Sequence, residues 1–131
     1  MTIDTNLFGY HLIRNDILRD ILGNEHDNIL YFIGKSLARK YPLETNEQLA
    51  EFFTKANWGE LNILKEKRQK MIYELTGSWM GQHDKRCYQL EAGFLAEQTE
   101  LSRRVISAAT YLQKKDSVIF TIEFDRYDST E

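Results

Sequence analysis

The spacing of apolar residues in this chain switches from a helical to an alternating period near Trp58, and that switch limits the possible folds more than any other feature. Before it, His11 to Leu22 sets Leu12, Ile13, Ile17, Leu18, Ile21 and Leu22 at helical spacing, and Gly23 is placed to end the segment. Asn24 is positioned as the N-cap of a second helix. Glu25 and Asp27 fall in its first turn, where acidic charge suits the helix dipole. This helix carries Ile29, Leu30, Phe32, Ile33, Leu37, Ala38 and Tyr41 and closes before Pro42. Its apolar stripe is wide, as in a helix buried on more than one side or packed on a partner chain. Thr45-Asn46-Glu47-Gln48 is a capping-box pattern that opens a third helix with Leu49, Phe52 and Phe53 on its apolar side.

Past Trp58, Leu61 and Ile63 alternate with Glu60 and Asn62, and Met71, Tyr73 and Leu75 alternate with Lys70, Ile72 and Glu74. The charged run Lys65-Glu66-Lys67-Arg68-Gln69 between them completes a hairpin. A polar connection from Thr76 to Arg86 leads to a fourth helix from about Cys87 to Leu101, with Tyr88, Leu90, Phe94, Leu95 and Leu101 as its large apolar residues. A second hairpin closes the chain. It has Ile106, Ala108, Thr110 and Leu112 on one arm and Val118, Phe120, Ile122 and Phe124 on the other, joined at Lys114-Lys115-Asp116. The expected fold is α+β: three N-terminal helices, then ββ-α-ββ, with a four-stranded antiparallel sheet covered by helices on one face. With no linker, repeat or low-complexity stretch, residues 1–131 read as a single domain, its ordered core spanning about 9–125.

Composition narrows the function classes. The apolar and charged fractions, 42% and 28%, are those of a globular domain. A net charge of −3 argues against a dedicated nucleic-acid binder, whose basic charge gathers on one face. Cys87 is the only cysteine, which excludes a disulfide scaffold. Met1 to Phe8 lacks the basic start and apolar core of a signal peptide, and neither terminus carries a lipidation motif. The longest apolar run, Ile29 to Ile33, is far too short for stable membrane insertion, so the expected address is the cytoplasm.

Candidate chemistry is sparse. The histidines His11, His26 and His83 do not form a metal-binding spacing with other ligands. Glu25-His26-Asp27 suggests a metal or proton relay, but the acids are better explained by the helix dipole. Cys87 sits near a helix start after Lys85 and Arg86, a setting that favours a thiolate, yet unpaired cysteines are usually buried and inert. Lys65, Lys67, Arg68 and Lys70, and the pair Arg103-Arg104, read as solvated charge. There is no glycine-rich phosphate loop, no Gly-x-Ser-x-Gly elbow and no Cys-x-x-Cys, so the expectation is a non-enzymatic domain without cofactor or metal.

The fourth helix is more informative. A glycine inside a helix costs about 1 kcal/mol relative to alanine, so Gly93, between Ala92 and Ala96, implies close approach of another element or of a ligand. The ligand version makes Trp79, Cys87, Tyr88, Gly93, Phe94 and Leu95 the binding residues for a small apolar molecule. The wide stripe of the second helix instead motivates a homodimer interface of Leu12, Ile13, Ile17, Ile29, Phe32 and Ile33.

From Gly9 to Asp125 the chain resembles the YslB-like family of Gram-positive bacterial proteins. The likeness rests on the helical Ile17-to-Tyr41 stretch, Ala56-Asn57-Trp58-Gly59, Glu91-Ala92-Gly93-Phe94-Leu95-Ala96 and the closing Val118-to-Asp125 strand. That family is similar in fold to the 4-vinyl-reductase domain and to subunits of the eukaryotic transport-particle complexes. The resemblance implies an α+β domain that dimerises through its helices and encloses an apolar cavity. The related haem-based nitric-oxide sensors hold haem with a Tyr-x-Ser-x-Arg pattern, which is absent here, so haem does not carry over.

Overall fold

The computed structural model describes residues 5–81 and 83–129, with side chains from 7 to 124; the readings that rest on Met1 to Asp4 and on Thr130 and Glu131 lie outside it. The first helical period is realised as α1 (Thr5–Leu12), a π-helical turn (Ile13–Ile17) and α2 (Leu18–Leu22). Leu18 and Leu22 pack on the core, whereas Leu12, Ile13, Ile17 and Ile21 are exposed. The side chain buried from the π turn is instead Arg14.

Gly23, at φ 63°, ends α2. Asn24 does not cap the second long helix: Gly23–Glu25 forms a 3-10 turn, and α3 (His26–Lys40) begins after Glu25 without a side-chain cap. The Thr45 capping box is present as expected: Thr45 Oγ1 accepts from Gln48 N at 3.1 Å, and Gln48 Oε1 accepts from Thr45 N. It opens α4 (Asn46–Lys55). The turn after α4 explains the Asn-Trp-Gly signature. Asn57 adopts φ 60° and Gly59 φ 127°, and a Cβ on Gly59 would stand 2.6 Å from the Thr76 carbonyl oxygen.

The remaining elements are β1 (Glu60–Glu66), β2 (Lys70–Thr76), α5 (Gln89–Arg103), β3 (Val105–Gln113) and β4 (Val118–Ser129). The strands form one antiparallel sheet in the order β1-β2-β4-β3. Helix α5 lies between this sheet and α3, so Leu90 to Thr99 are buried without interruption. That placement removes any amphipathic face from α5. Two glycines set the closeness of the α3–α5 crossing. A Cβ on Gly34 would stand 2.1 Å from Leu90 O, and one on Gly93 2.0 Å from Tyr31 O. Beyond the crossing, the Tyr31 hydroxyl accepts the backbone N–H of Ala109 on the edge strand β3 at 3.1 Å.

The second hairpin corrects one expectation. In β3 the core-facing residues are Val105, Ser107, Ala109 and Tyr111, while Ile106, Ala108, Thr110 and Leu112 face away from the helices. In β1, Leu61 is buried but Ile63 is 40% exposed, next to a register shift between Ile63 and Lys65. β2 and β4 follow the alternation, with Met71, Tyr73, Leu75, Val118, Phe120, Ile122 and Phe124 inward. Among the described residues no helix is long and apolar enough to cross a membrane.

Candidate functional site

The connection from β2 to α5 folds back on α1 and the π turn, and there the buried polar groups collect. Arg14 and Glu91, 77 residues apart, form a two-pronged ion pair: Nη2 to Oε1 at 2.8 Å and Nη1 to Oε2 at 3.0 Å. Arg14 Nη2 also donates to Cys87 O at 2.7 Å, and Nη1 to the Tyr10 hydroxyl at 2.9 Å. That hydroxyl accepts a further bond from Trp58 Nε1 at 2.8 Å. Both charged side chains are essentially removed from water. Burial alone pulls the Arg14 pKa down, but the Glu91 charge, its hydrogen bonds and Tyr10 outweigh burial and raise it. A buried pair with this geometry fixes which residues meet, even where its net contribution to stability is small.

A second buried guanidinium lies beside the first. Arg86 is 2% exposed, with its Cζ 4.3 Å from the Trp79 ring and 5.2 Å from the Tyr10 ring. Its Nη2 lies 2.6 Å from His11 Nδ1, an arrangement in which that ring nitrogen carries no proton and accepts. Its Nε and Nη1 have no hydrogen-bond partner among the described residues. Burial first, and then the Arg14 charge, push the Arg86 pKa down.

The loop is tied down around Asp84. One carboxylate oxygen accepts the Arg86 backbone N–H at 3.0 Å, and the other accepts the Tyr88 hydroxyl at 2.6 Å and Gln113 Nε2 at 3.2 Å. Trp79 Nε1 donates to the Tyr88 hydroxyl at 3.0 Å. Burial, together with the bond and charge of Asp84, holds the Tyr88 phenol protonated far above its ordinary range. Tyr111 is pushed up to about 12, first by burial and then by Cys87.

The chain as a whole matches a known group of proteins. The family described as "Protein of unknown function (DUF2507)" matches residues 7–123. The chain belongs to this family. It is 40% identical over 132 residues to "Uncharacterized protein YslB" of Bacillus subtilis (strain 168), covering 96% of this chain and 89% of that protein. In fold it is similar to the crystal structure of a vinyl-4-reductase family protein from Methanocaldococcus jannaschii. The TM-score is 0.64 at 21% identity, over 95% of this chain and 83% of that one.

In this DUF2507 chain the sequence-predicted ligand residues separate into two groups. Trp79 and Tyr88 meet directly, and Cys87 is linked to them through Tyr111, whose hydroxyl is 3.9 Å from Cys87 Sγ and whose ring is 5.9 Å from that of Tyr88. Gly93, Phe94 and Leu95 lie deeper in the core. The space beside Gly93 is taken by the backbone of α3, and Phe94 stacks on Phe52 at 4.7 Å and meets the edge of Trp58 at 5.2 Å. At the far end of α5 a pocket of about 90 Å³, lined by residues such as Leu43, Leu49, Tyr73, Thr99 and Arg103, is smaller than ligand sites of ~300 Å³ and upward. The predicted interface residues Leu12, Ile13, Ile17, Phe32 and Ile33 are exposed and Ile29 is half-buried.

Two further groupings escaped the sequence. His26, Asp27 and Cys87 bring three possible metal-ligating atoms within 4.8 Å of one another. Asp27 accepts from His26 Nδ1 at 2.7 Å and is hydrogen-bonded to the Cys87 thiol, which holds its own pKa below the usual carboxylate range. Burial pushes the Cys87 thiol up, the reverse of what its place before a helix and two basic residues suggests. The positive end of α3 also disfavours a cation there, so the trio is explained by its own hydrogen bonds. Arg14 and Arg86 were missed as well. The available signal for Arg14 was a charge at the centre of the Tyr10, Arg14, Leu18 stripe, where only apolar residues are expected.

Proposed function

We propose that the chain is a non-enzymatic binding module that assembles as a homodimer through the outer surface of its N-terminal helices. One observation carries this reading: Ile13, Ile17, Ile21, Phe32 and Ile33 are between 40% and 71% exposed on α2, the π turn and the adjoining α3. Single exposed apolar residues are ordinary on any protein, but a set of this size on neighbouring helices marks an interaction surface. A second copy is the simplest occupant, because a two-fold interface uses one self-complementary surface twice. Ile13, Ile17 and Ile21 recur at four-residue spacing, so a single face of the N-terminal helix enters the interface. Burying each large side chain contributes about 1.5–3 kcal/mol, and a few of them hold a micromolar dimer.

The non-enzymatic part of the reading is supported by the site chemistry. Glu91 is fully engaged with Arg14, and the Cys87, Tyr88 and Tyr111 side chains are all shifted towards holding their protons, so none is poised as a base or nucleophile. The same reading assigns the protein to the cytoplasm, where a lone reduced thiol is ordinary. Light scattering on the size-exclusion peak at micromolar concentration tests it. The expected mass is twice 15.5 kDa for the native chain and 15.5 kDa for Ile17→Glu. A native chain that elutes as a monomer sinks the homodimer.

A second reading is a small apolar or lipid-like ligand held beside α5. It is favoured by the Trp79, Tyr88, Tyr111 and Cys87 group and by the fold shared with a vinyl-4-reductase family protein. Native mass spectrometry and then denaturing mass spectrometry of the same sample separate bound from covalent mass. A bare protein in both spectra removes this reading.

A further inference from the structure

We propose that Arg86 anchors a binding site for a small organic carboxylate with an aromatic body, which enters against Trp79. The inference rests on the ligand-binding reading and gives it a chemistry. A guanidinium has five N–H donors in a fixed planar fork, and the two Arg86 nitrogens without a protein acceptor carry three of them. Native structures almost never leave such donors buried and unmatched.

Charge points the same way. Among the described residues the fully buried side chains with a formal charge at this end of α5 are Arg14, Arg86 and Glu91, and the carboxylate belongs to Arg14 by its two-pronged pairing. Arg86 therefore lacks a buried counter-charge. Asp84, two residues away, directs its oxygens to the Arg86 backbone N–H, Tyr88 and Gln113 instead of to the guanidinium. One uncompensated positive charge matches a monoanion. Only one of the two Nη2 hydrogens is directed to His11, so a planar carboxylate meets one edge of the guanidinium with two parallel hydrogen bonds, one from the second Nη2 hydrogen and one from a neighbouring free nitrogen, which a halide cannot do.

The surroundings set the rest of the ligand. The Arg86 fork is roofed by the Trp79 ring, which stands 5.4 Å from the ring of His11 and lies on Gly77, where even a Cβ would come within 2.5 Å of the indole. Trp79 is only half-buried. Tyr10 and His11, the other rings around the guanidinium, are half-buried as well, so a ligand reaching Arg86 from solvent passes between aromatic rings and an aromatic body finds edge-to-face contacts there.

Benzoate is the probe, with benzamide as its neutral isostere and benzyl alcohol as an uncharged aromatic control. In the native protein, benzoate at about 10 mM is expected to raise Tm by a few degrees and to change tryptophan emission in Trp58→Phe, which leaves Trp79 as the reporter. Benzamide is expected to shift neither by more than a tenth of that, and Arg86→Met to lose the benzoate response while still melting cooperatively. Arg86→Lys, which keeps the charge but not the fork, is expected to retain only a small part of it. Equal responses to benzoate, benzamide and benzyl alcohol overturn the carboxylate site and leave an apolar ligand site standing. No response to any of the three overturns both.

Discussion

Near its start, between Leu90 and Phe94, α5 meets α3 through Gly34 and Gly93, backbone against backbone. On another face of the same stretch the helix is buried by the opposite means: Glu91 is matched to Arg14, and Arg86 lies alongside with most of its donors unmatched among the described residues. The first region gains its closeness from missing side chains and the second from large charged ones. A crossing of two glycines has one solution and tolerates no addition. A charged cluster holds together only while its members remain in balance, which makes it the region where a bound group can matter.

The comparison is sharpest at Arg14. Arg14→Met strands the Glu91 carboxylate in the interior and is expected to cost about 3–5 kcal/mol in urea unfolding. The double variant Arg14→Met/Glu91→Leu is expected to recover most of that loss, since both charges leave together. A double variant as unstable as the single one breaks the claim that charge balance governs this end of the helix. At the crossing, Gly93→Ala gains helix propensity but drives a methyl group into Tyr31 O, and a net loss of about 2–3 kcal/mol is expected. A neutral or stabilising result shows that the helices can part and that closeness there is not required.

Arg86→Met separates the two buried arginines. Because no carboxylate among the described residues pairs with Arg86, its removal in the ligand-free protein is expected to change stability by less than about 1 kcal/mol or to raise it. A loss as large as that of Arg14→Met means that Arg86 is compensated from within the chain. The smallest effect concerns Cys87. Burial, the largest influence on its thiol, raises the folded pKa, so the proton is retained in the native state above the pH at which an unfolded thiol loses it. That contribution to stability is complete below the unfolded thiol pKa and fades as pH rises through the folded one. At about pH 8, alkylation of the native protein is expected to run at least ~10-fold slower than in urea. Equal rates mean an exposed thiolate.

Much of the fold could be read directly from period. The capping box at Thr45, the two hairpins and the antiparallel sheet with its helices on one face are local patterns, and they appear where the pattern lies. The face of β3 was not legible. Ser107 and Ala109 are less apolar than Ile106 and Leu112, yet they face the core, because pairing to β4 and packing under α5 set the phase of an edge strand. The site was legible only in part. Trp79, Cys87 and Tyr88 lie close in sequence and come together in the structure. Arg14 with Glu91, and His26 with Cys87, depend on chain folding over long separations, and no local pattern encodes them. Gly93 marks a place of close approach in the sequence, and the structure assigns that approach to α3.

The order of the elements along the chain has a consequence for how the protein is made. Helix α3 emerges early in synthesis, but the surface it rests on is Leu90 to Thr99 of α5, which is translated much later. Gly34 has no knob to offer and only a groove to be filled, so nothing earlier in the chain can stand in for α5. The N-terminal half therefore waits, with Leu30, Gly34 and Ala38 on its inner face uncovered, until α5 has been made. For that interval an apolar helix face stays open to solvent on the nascent chain, and it is covered only when α5 docks.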